Sequence, residues 1–488
     1  MHARTRIATV LLGLAALGLG LVTLRGCGAA EPPKAKPVGR VLVVGMDGLE
    51  WTVVRPLLKA GRMPNLLALM QRGSYGYLAS MKPTLSPVVW TTIATGKLME
   101  EHGITDFVDR RSKQVFTSGR RATRAVWNIA DQYGLSTDLF GWFITWPAEH
   151  VRGMVVSGSS ADSQLDANWK PALLPGVSGQ VWPEELTDEV LALAAQAGSM
   201  EKVQKLASEK IFPGVQQELM NPLQKKVFQQ TLWSVLSDET YFEVACKYIK
   251  EHPADLNLVY FGGTDVVGHR YWRESHPKGY AWHDGEVLDK ELAEVVDNYY
   301  AWMDEMLGAL MAAAGPDTTV FVVSDHGMHA VALDKEDTDF GMTGHHLDAP
   351  AGVIVAAGPA ILRQGGVKAF LENGALPTHG SVVDVTPTLL ALLGIPVGKD
   401  MRGRAVLTLL APGPARDNAK LPPVASHDEG FRPPALDEVP QEMSANFEEH
   451  FGQLGYLQLA PHDGASEIVP PPAPEPSPAP PTPASDPH

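Results

Sequence analysis

The chain has 488 residues, 44% hydrophobic and 20% charged, an ordinary folded composition with enough sequence for one large or two medium domains around a sizeable core. Its net charge of −16 excludes a general nucleic-acid binder, because a polyanion is repelled everywhere except at a local basic patch, and points to a small partner. Only two cysteines, Cys27 and Cys246, speak against a structural disulfide.

In chain order, Arg4 and Arg6 precede an apolar run from Ile7 to Leu24. Such a run lies between a long signal peptide and a minimal membrane anchor, which needs about 20 residues. Residues 1–27 are therefore expected to export the chain to the bacterial cell envelope. Leu24-Arg25-Gly26-Cys27 resembles a lipobox, with Arg25 departing from the usual small or aliphatic residue. Lipoprotein and uncleaved membrane anchor are both expectations here, and either leaves the body facing the periplasm or the surface. Residues 28–39, with Pro32, Pro33 and Pro37, read as a Pro-rich linker.

From 40 to 411, apolar strand-like runs alternate with helical patterns such as Glu294 to Ala313, which predicts an α/β fold with a doubly wound, mostly parallel sheet and helices on both faces. A polar helical stretch over about 160–250 interrupts the alternation and reads as an insertion, either a lid over the ligand face or a structural subdomain. Within it Cys246 lies on an amphipathic helical pattern and reads as a buried inert thiol rather than a nucleophile. Residues 412–461 form an extension expected to pack back on the body, and 462–488, rich in Pro, Ala and Ser, are expected to be a disordered tail.

The chemistry gathers where the apolar runs end. Met46-Asp47-Gly48 follows Val41 to Val44, Thr264-Asp265 follows Leu256 to Phe261, and Ser324-Asp325-His326-Gly327 follows Val320 to Val323. Val-rich runs of this kind suit strands buried on both faces of a parallel sheet, whose ligands bind beyond the strand C-termini. Asp265 and His269 are four residues apart, and Thr343-Gly344-His345-His346 adds imidazoles before the run Gly352 to Val355. Mixed carboxylate and imidazole donors suit zinc, with manganese as the alternative. Taken singly, each Asp is as readily a turn or helix cap and each His a structural residue; their convergence on strand ends is the signal.

A hydroxyl candidate comes from Pro83-Thr84-Leu85-Ser86-Pro87, where Ser86 or Thr84 reads equally as the N-cap of the helix that follows. Near a metal the picture changes, because a coordinated hydroxyl loses its proton far more easily, and Ser86 would be nucleophile and ligand at once.

These residues carry a resemblance. Met46-Asp47-Gly48, Pro83 to Ser86 leading to Thr95-Gly96 and His102-Gly103-Ile104, Asp265 to His269, Ser324 to Met328, and Asp384-Val385-Thr386-Pro387-Thr388 resemble the alkaline phosphatase superfamily, within it the type I phosphodiesterase and nucleotide pyrophosphatase branch. Gly141-Trp142-Phe143-Ile144-Thr145-Trp146-Pro147-Ala148-Glu149 is similar to bacterial members. The resemblance implies two divalent ions, Asp47, Ser86, Asp325 and His326 holding one and Asp265, His269 and His346 the other. It selects His346 over His345, since the family motif places one residue between Gly and His. It further implies phosphate-ester hydrolysis, of a diester or a monoester, through a phosphoserine at Ser86. A phospho-alcohol transferase acting on an envelope component and a non-catalytic envelope-binding scaffold are the rival readings. The sulfatase and phosphoglycerate mutase branches fit less well, the first for want of its nucleophile motif and the second because it is cytosolic.

One departure stands out. The branch usually carries an Asn after His-Gly-Ile, whereas this chain has Thr105-Asp106-Phe107, so a nucleotide preference is not implied. An arginine among Arg110, Arg111, Arg120, Arg121 and Arg124 could replace that donor, although a solvated basic loop is the plainer reading. His379 reads as a turn residue, and Trp142 and Trp146 as core.

Overall fold

The computed structural model describes residues 35–109, 111–112, 114–158, 172–173, 175–280, 290–330, 342–372, 374–434 and 465–471. The expected signal or anchor segment 1–27, the linker up to 34, the start of the insertion, the helical pattern 440–451 and the tail from 472 lie outside the described residues. Among the described residues no helix is long and apolar enough to cross a membrane.

The described chain runs through β1 (Val41–Met46), α1 (Trp51–Lys59), α2 (Pro64–Arg72), β2 (Ser74–Lys82), α3 (Ser86–Thr95), α4 (Val126–Gln132), β3 (Thr137–Phe140), β4 (Gly153–Val156) and β5 (Val181–Trp182). It continues through α5 (Thr187–Ala197), α6 (Pro222–Glu251), β6 (Leu256–Phe261), α7 (Gly263–Ser275), α8 (Val295–Ala314), β7 (Thr319–Val323), β8 (Gly352–Ala357), β9 (Thr378–Ser381), α9 (Val385–Leu393) and β10 (Glu467–Val469). The strands make one sheet in the order β9-β2-β8-β7-β1-β6-β3-β4-β5, with β10 paired to β2. Its centre, β7-β1-β6-β3-β4, is parallel, while β8 runs antiparallel to both β7 and β2. Register aligns Met46 with Phe261 and Gly45 with Val323, so β1, β6 and β7 end side by side.

The alternation of β1 shows why helices cover both faces. Leu42, Val44 and Met46 enter one core with α1, α2, α6 and α8; Val41 and Val43 enter the other with α3, α4 and α9. A strand apolar on both sides must be sandwiched to leave water, and the mostly parallel α/β architecture follows.

The described part of the insertion contributes a long helix to the core. Asn221 caps α6, its side chain accepting from Gln224 N–H at 2.9 Å while Gln224 returns the bond at 2.8 Å, and Pro222 takes the first turn. The helix then packs on β6, β3, α7 and α8 as part of the core layer. Two expectations are corrected. Residues 467–469, placed by composition in a disordered tail, pair antiparallel with Ser80–Lys82, because Ile468 and Val469 can join a sheet before the Pro run begins. His379 is a buried strand residue of β9 between Gln364 and Thr408, not a turn residue. From the C-terminal extension, Asp428 pairs with Lys97 at 2.5 Å, and Lys97 also bridges Asp400 of the body at 2.6 Å.

One buried acid has a pH signature. Asp138 accepts from Met154 N–H, but its Oδ2 has no hydrogen bond, nor has Oδ1 of its register partner Asn257, and burial pushes the carboxyl up to about 7. Between about pH 4, where the unfolded carboxyl ionises, and about 7, the folded chain holds this proton more tightly, so stability falls as pH rises through that window. Asp138→Asn should therefore be stabilising by roughly 2–4 kcal/mol at pH 8, from about 1.4 kcal/mol per pKa unit. Thermal melts at pH 8 and pH 4 check this: the gain should vanish at pH 4, and an equal gain at both would show that the charge is not the cause.

Candidate metal centre

Three strand ends deliver the site. Asp47 follows β1, and Gly48 after it turns with φ +65°, its Cα so close to α7 that a Cβ would stand 3.0 Å from the Asp265 Cα. Gly45 lets the Trp90 ring of α3 lie against β1, since a Cβ there would meet that ring at 2.8 Å. Trp90 Nε1 then donates to Asp47 Oδ2 at 2.9 Å and Tyr260 Oη donates to the same oxygen at 2.6 Å. With Oδ2 held twice, Oδ1 is left to face the site and makes no hydrogen bond.

Asp325 and His326 leave the end of β7. Gly48 N–H donates to Asp325 Oδ1 at 3.3 Å, and Ser80 Oγ donates to the Asp325 carbonyl at 2.7 Å. Ser324 Oγ fixes the turn, accepting from Leu49 N–H and donating to the His326 carbonyl. His326 Nδ1 faces the Gly327 carbonyl at 2.9 Å; a carbonyl only accepts, so Nδ1 carries the proton and Nε2 presents a lone pair. That Nε2 sits 3.3 Å from Asp47 Oδ1 and 3.3 Å from Asp325 Oδ2.

The second half lies on α7. Residues four apart share a helix face, which brings His269 Nε2 to 3.3 Å from Asp265 Oδ1. His269 Nδ1 donates to the Gly344 carbonyl at 2.8 Å, fixing its tautomer in the same way. His346 Nε2 reaches within 3.1 Å of His269 Nε2 and 3.7 Å of Asp265 Oδ1, while its ring stacks on His326 at 3.7 Å. Asp47, Asp325 and His326 form one group of converging donor atoms and Asp265, His326 and His346 another, so His326 stands between the two halves.

Six of the seven sequence candidates thus meet in one buried cluster. The seventh, Ser86, is the buried first residue of α3, one helical turn before Trp90 and on the same helix face, and Trp90 reaches Asp47. Neither hydroxyl is the helix cap: Leu85 takes that position, and Thr84 Oγ1 donates to the Met81 carbonyl at 3.0 Å. His345 faces away from the cluster, its ring 4.3 Å from His329. His329, His345 and Asp348 form a third, partly exposed group, but the His345 ring is already bonded to Leu347 N–H and to the Ala330 backbone. Three of the candidate arginines are engaged elsewhere: Arg121, contrary to a solvated loop, is buried on Glu149 at 2.8 Å, Arg124 bonds Glu429 O, and Arg120 pairs with Asp109, while Arg110 lies outside the described residues. Trp142 and Trp146 are core. Sequence reading missed Trp90, Tyr260 and Thr264, whose hydroxyl donates to the Asp47 carbonyl.

The electrostatics call for a cation. Burial and the neighbouring Asp265 push Asp47 up, and burial and Asp47 push Asp325 well up. Asp265 is buried too but is held low by His269 and His346. Burial drives His346 well down, toward the neutral form that a metal requires. Buried carboxylates converging with imidazole nitrogens at one place suit a cation, and the mixed oxygen and nitrogen donors fit divalent zinc or manganese.

A model of the type I phosphodiesterase / nucleotide pyrophosphatase family matches residues 41–364. The chain is 24% identical over 200 residues to the 2,3-bisphosphoglycerate-independent phosphoglycerate mutase of Rippkaea orientalis, covering 41% of this chain and 32% of that protein. It therefore spans about a third of the length of that curated relative. Among solved structures, murine ectonucleotide pyrophosphatase / phosphodiesterase 5 is similar over 76% of this chain and 100% of that one, at 15% identity and a TM-score of 0.43. Phosphonoacetate hydrolase from Sinorhizobium meliloti is similar over 60% and 57%, at 16% identity and a TM-score of 0.37.

Proposed function

We propose, for a chain that belongs to the type I phosphodiesterase / nucleotide pyrophosphatase family of phosphoric ester hydrolases, the metal-dependent hydrolysis of a small phosphate ester with Ser86 as nucleophile. The observation that carries the reading is the convergence of Asp47 Oδ1, Asp325 Oδ2 and His326 Nε2, all buried and without hydrogen bonds, with His326 Nε2 3.3 Å from each carboxylate oxygen. Such an array is costly without a cation and apt with one.

Asp47, Ser86, Asp325 and His326 would hold one divalent ion, and Asp265, His269 and His346 the other. When bound, two such ions supply Lewis-acid charge that lowers the pKa of a nearby hydroxyl and neutralises a phosphate. The residues of the chain do the rest. Ser86 Oγ, at the first turn of α3, attacks phosphorus, where the positive end of the helix favours the anion. The bond from phosphorus to the alcohol oxygen breaks, the alcohol departs with a proton, and water then cleaves the phosphoserine to regenerate Ser86. Trp90 and Tyr260 hold Asp47 in one orientation throughout, and the α3 packing excludes water from behind the serine. Arg4, Arg6 and the run Ile7–Leu24 support placement at the bacterial envelope, by signal peptide, lipoprotein or membrane anchor.

The test is a product assay on the purified full chain with phosphodiester and phosphomonoester substrates and no added alcohol. Sustained release of phosphate or phosphomonoester is the expected result. Turnover only when an acceptor alcohol is present would replace hydrolysis by transfer of the phospho group.

A further inference from the structure

We infer that Asp238, on the helical insertion, is a positioning residue that holds the Asp265–His269 half of the centre in place. The inference rests on the reading that Asp265, His269 and His346 hold an ion, and goes beyond it by giving the insertion a task.

The side chain of Asp238 is buried in mid-α6 and bonded three ways. Oδ1 accepts from Gly262 N–H at 3.1 Å, and Oδ2 accepts from Gly263 N–H at 3.1 Å and from Tyr299 Oη at 2.8 Å. Gly262 is the cap position of α7 and has no side chain to serve the first helical N–H groups, which lack intrahelical partners. A carboxylate from another helix supplies that cap and complements the positive end of the α7 dipole. The approach is so close that a Cβ on Gly263 would stand 1.9 Å from Tyr299 Oη and 2.5 Å from Asp238 Oδ2. The next residues are Thr264, bonded to the Asp47 carbonyl, and Asp265 itself, with His269 one turn further on. Any shift of the α7 start therefore moves Asp265 and His269 together.

The other half has anchors of its own besides Thr264. The Asp47 and Asp325 side chains leave strand ends and are oriented by Trp90, Tyr260, Gly48 N–H and Ser80, none of which belongs to the insertion. Asp238 should thus govern one ion and spare the other, an asymmetry that general loosening of the fold would not produce.

The experiment strips the purified full chain with a chelator and titrates Zn²⁺ against a competing indicator, with circular dichroism recorded alongside. Wild type should bind two ions. Asp238→Ala should weaken one of them by 10–100-fold and leave the other within about threefold, the range seen when a partner of a metal ligand is removed. Tyr299→Phe, which keeps both backbone bonds to Asp238, should leave both affinities within about threefold. Unchanged affinities in Asp238→Ala, or a parallel fall in both, would overturn the inference; a wild type that binds no ion would overturn the metal reading itself.

Discussion

Ser86→Ala is expected to abolish turnover of phosphodiester and phosphomonoester substrates by at least about 10³-fold, while leaving the ions in place. The expectation comes from geometry as well as chemistry. Ser86 opens α3 without serving as its cap, so the hydroxyl is not needed to satisfy the helix, and alanine at that position keeps the helix intact. Asp47 and Asp325, with the lone pair of His326, would still hold the proposed ion without the serine oxygen. Thr84 is the internal control: its hydroxyl is directed to the Met81 carbonyl, and Thr84→Ala should keep most of the activity. Steady-state rates with metal content measured on the same samples decide the matter. Undiminished turnover in Ser86→Ala would remove the serine from the mechanism, and loss confined to Thr84→Ala would move the role to the neighbouring hydroxyl.

Asp325→Asn should change sign with metal. In stripped protein, Asp325, Asp47 and Asp265 converge as like charges in a dry pocket, and burial with the neighbouring Asp47 pushes the Asp325 carboxyl well up. Removing one charge should stabilise that form by on the order of 1–3 kcal/mol at neutral pH. With ions present the order reverses. A ligand that binds only the folded state stabilises it by about 4 kcal/mol when its concentration is a thousandfold above its dissociation constant, and the amide forfeits most of that at one site. Thermal melts of wild type and Asp325→Asn, each with chelator and with excess Zn²⁺, should therefore cross. Wild type melting higher in both conditions, or no change on adding Zn²⁺, would sink the idea that these carboxylates are metal ligands.

Much of this arrangement is legible in the sequence because strand ends are. Val41–Val44 and Val320–Val323 announce buried parallel strands, and an acid directly after each must emerge at one sheet edge. The four-residue spacing of Asp265 and His269 likewise specifies a helix face before any tertiary contact is known. What stays hidden depends on contacts between distant segments. Trp90 and Tyr260 look like core aromatics, and only the register of β1 with β6 and the bare Gly45 bring both to one oxygen of Asp47. Asp238 sits in a long polar helix whose composition suits a lid as well as a core layer. The strand at 467–469 is masked by its neighbours, since three β-branched or charged residues carry little weight beside a Pro-rich stretch.

That last strand covers a border. Ser80–Lys82, which neither β8 nor β9 reaches, lie just before α3 and have their backbone paired by Glu467–Val469. Without that partner, the residues leading into Ser86 would present an open, adhesive strand edge, the kind of feature that invites pairing with another copy.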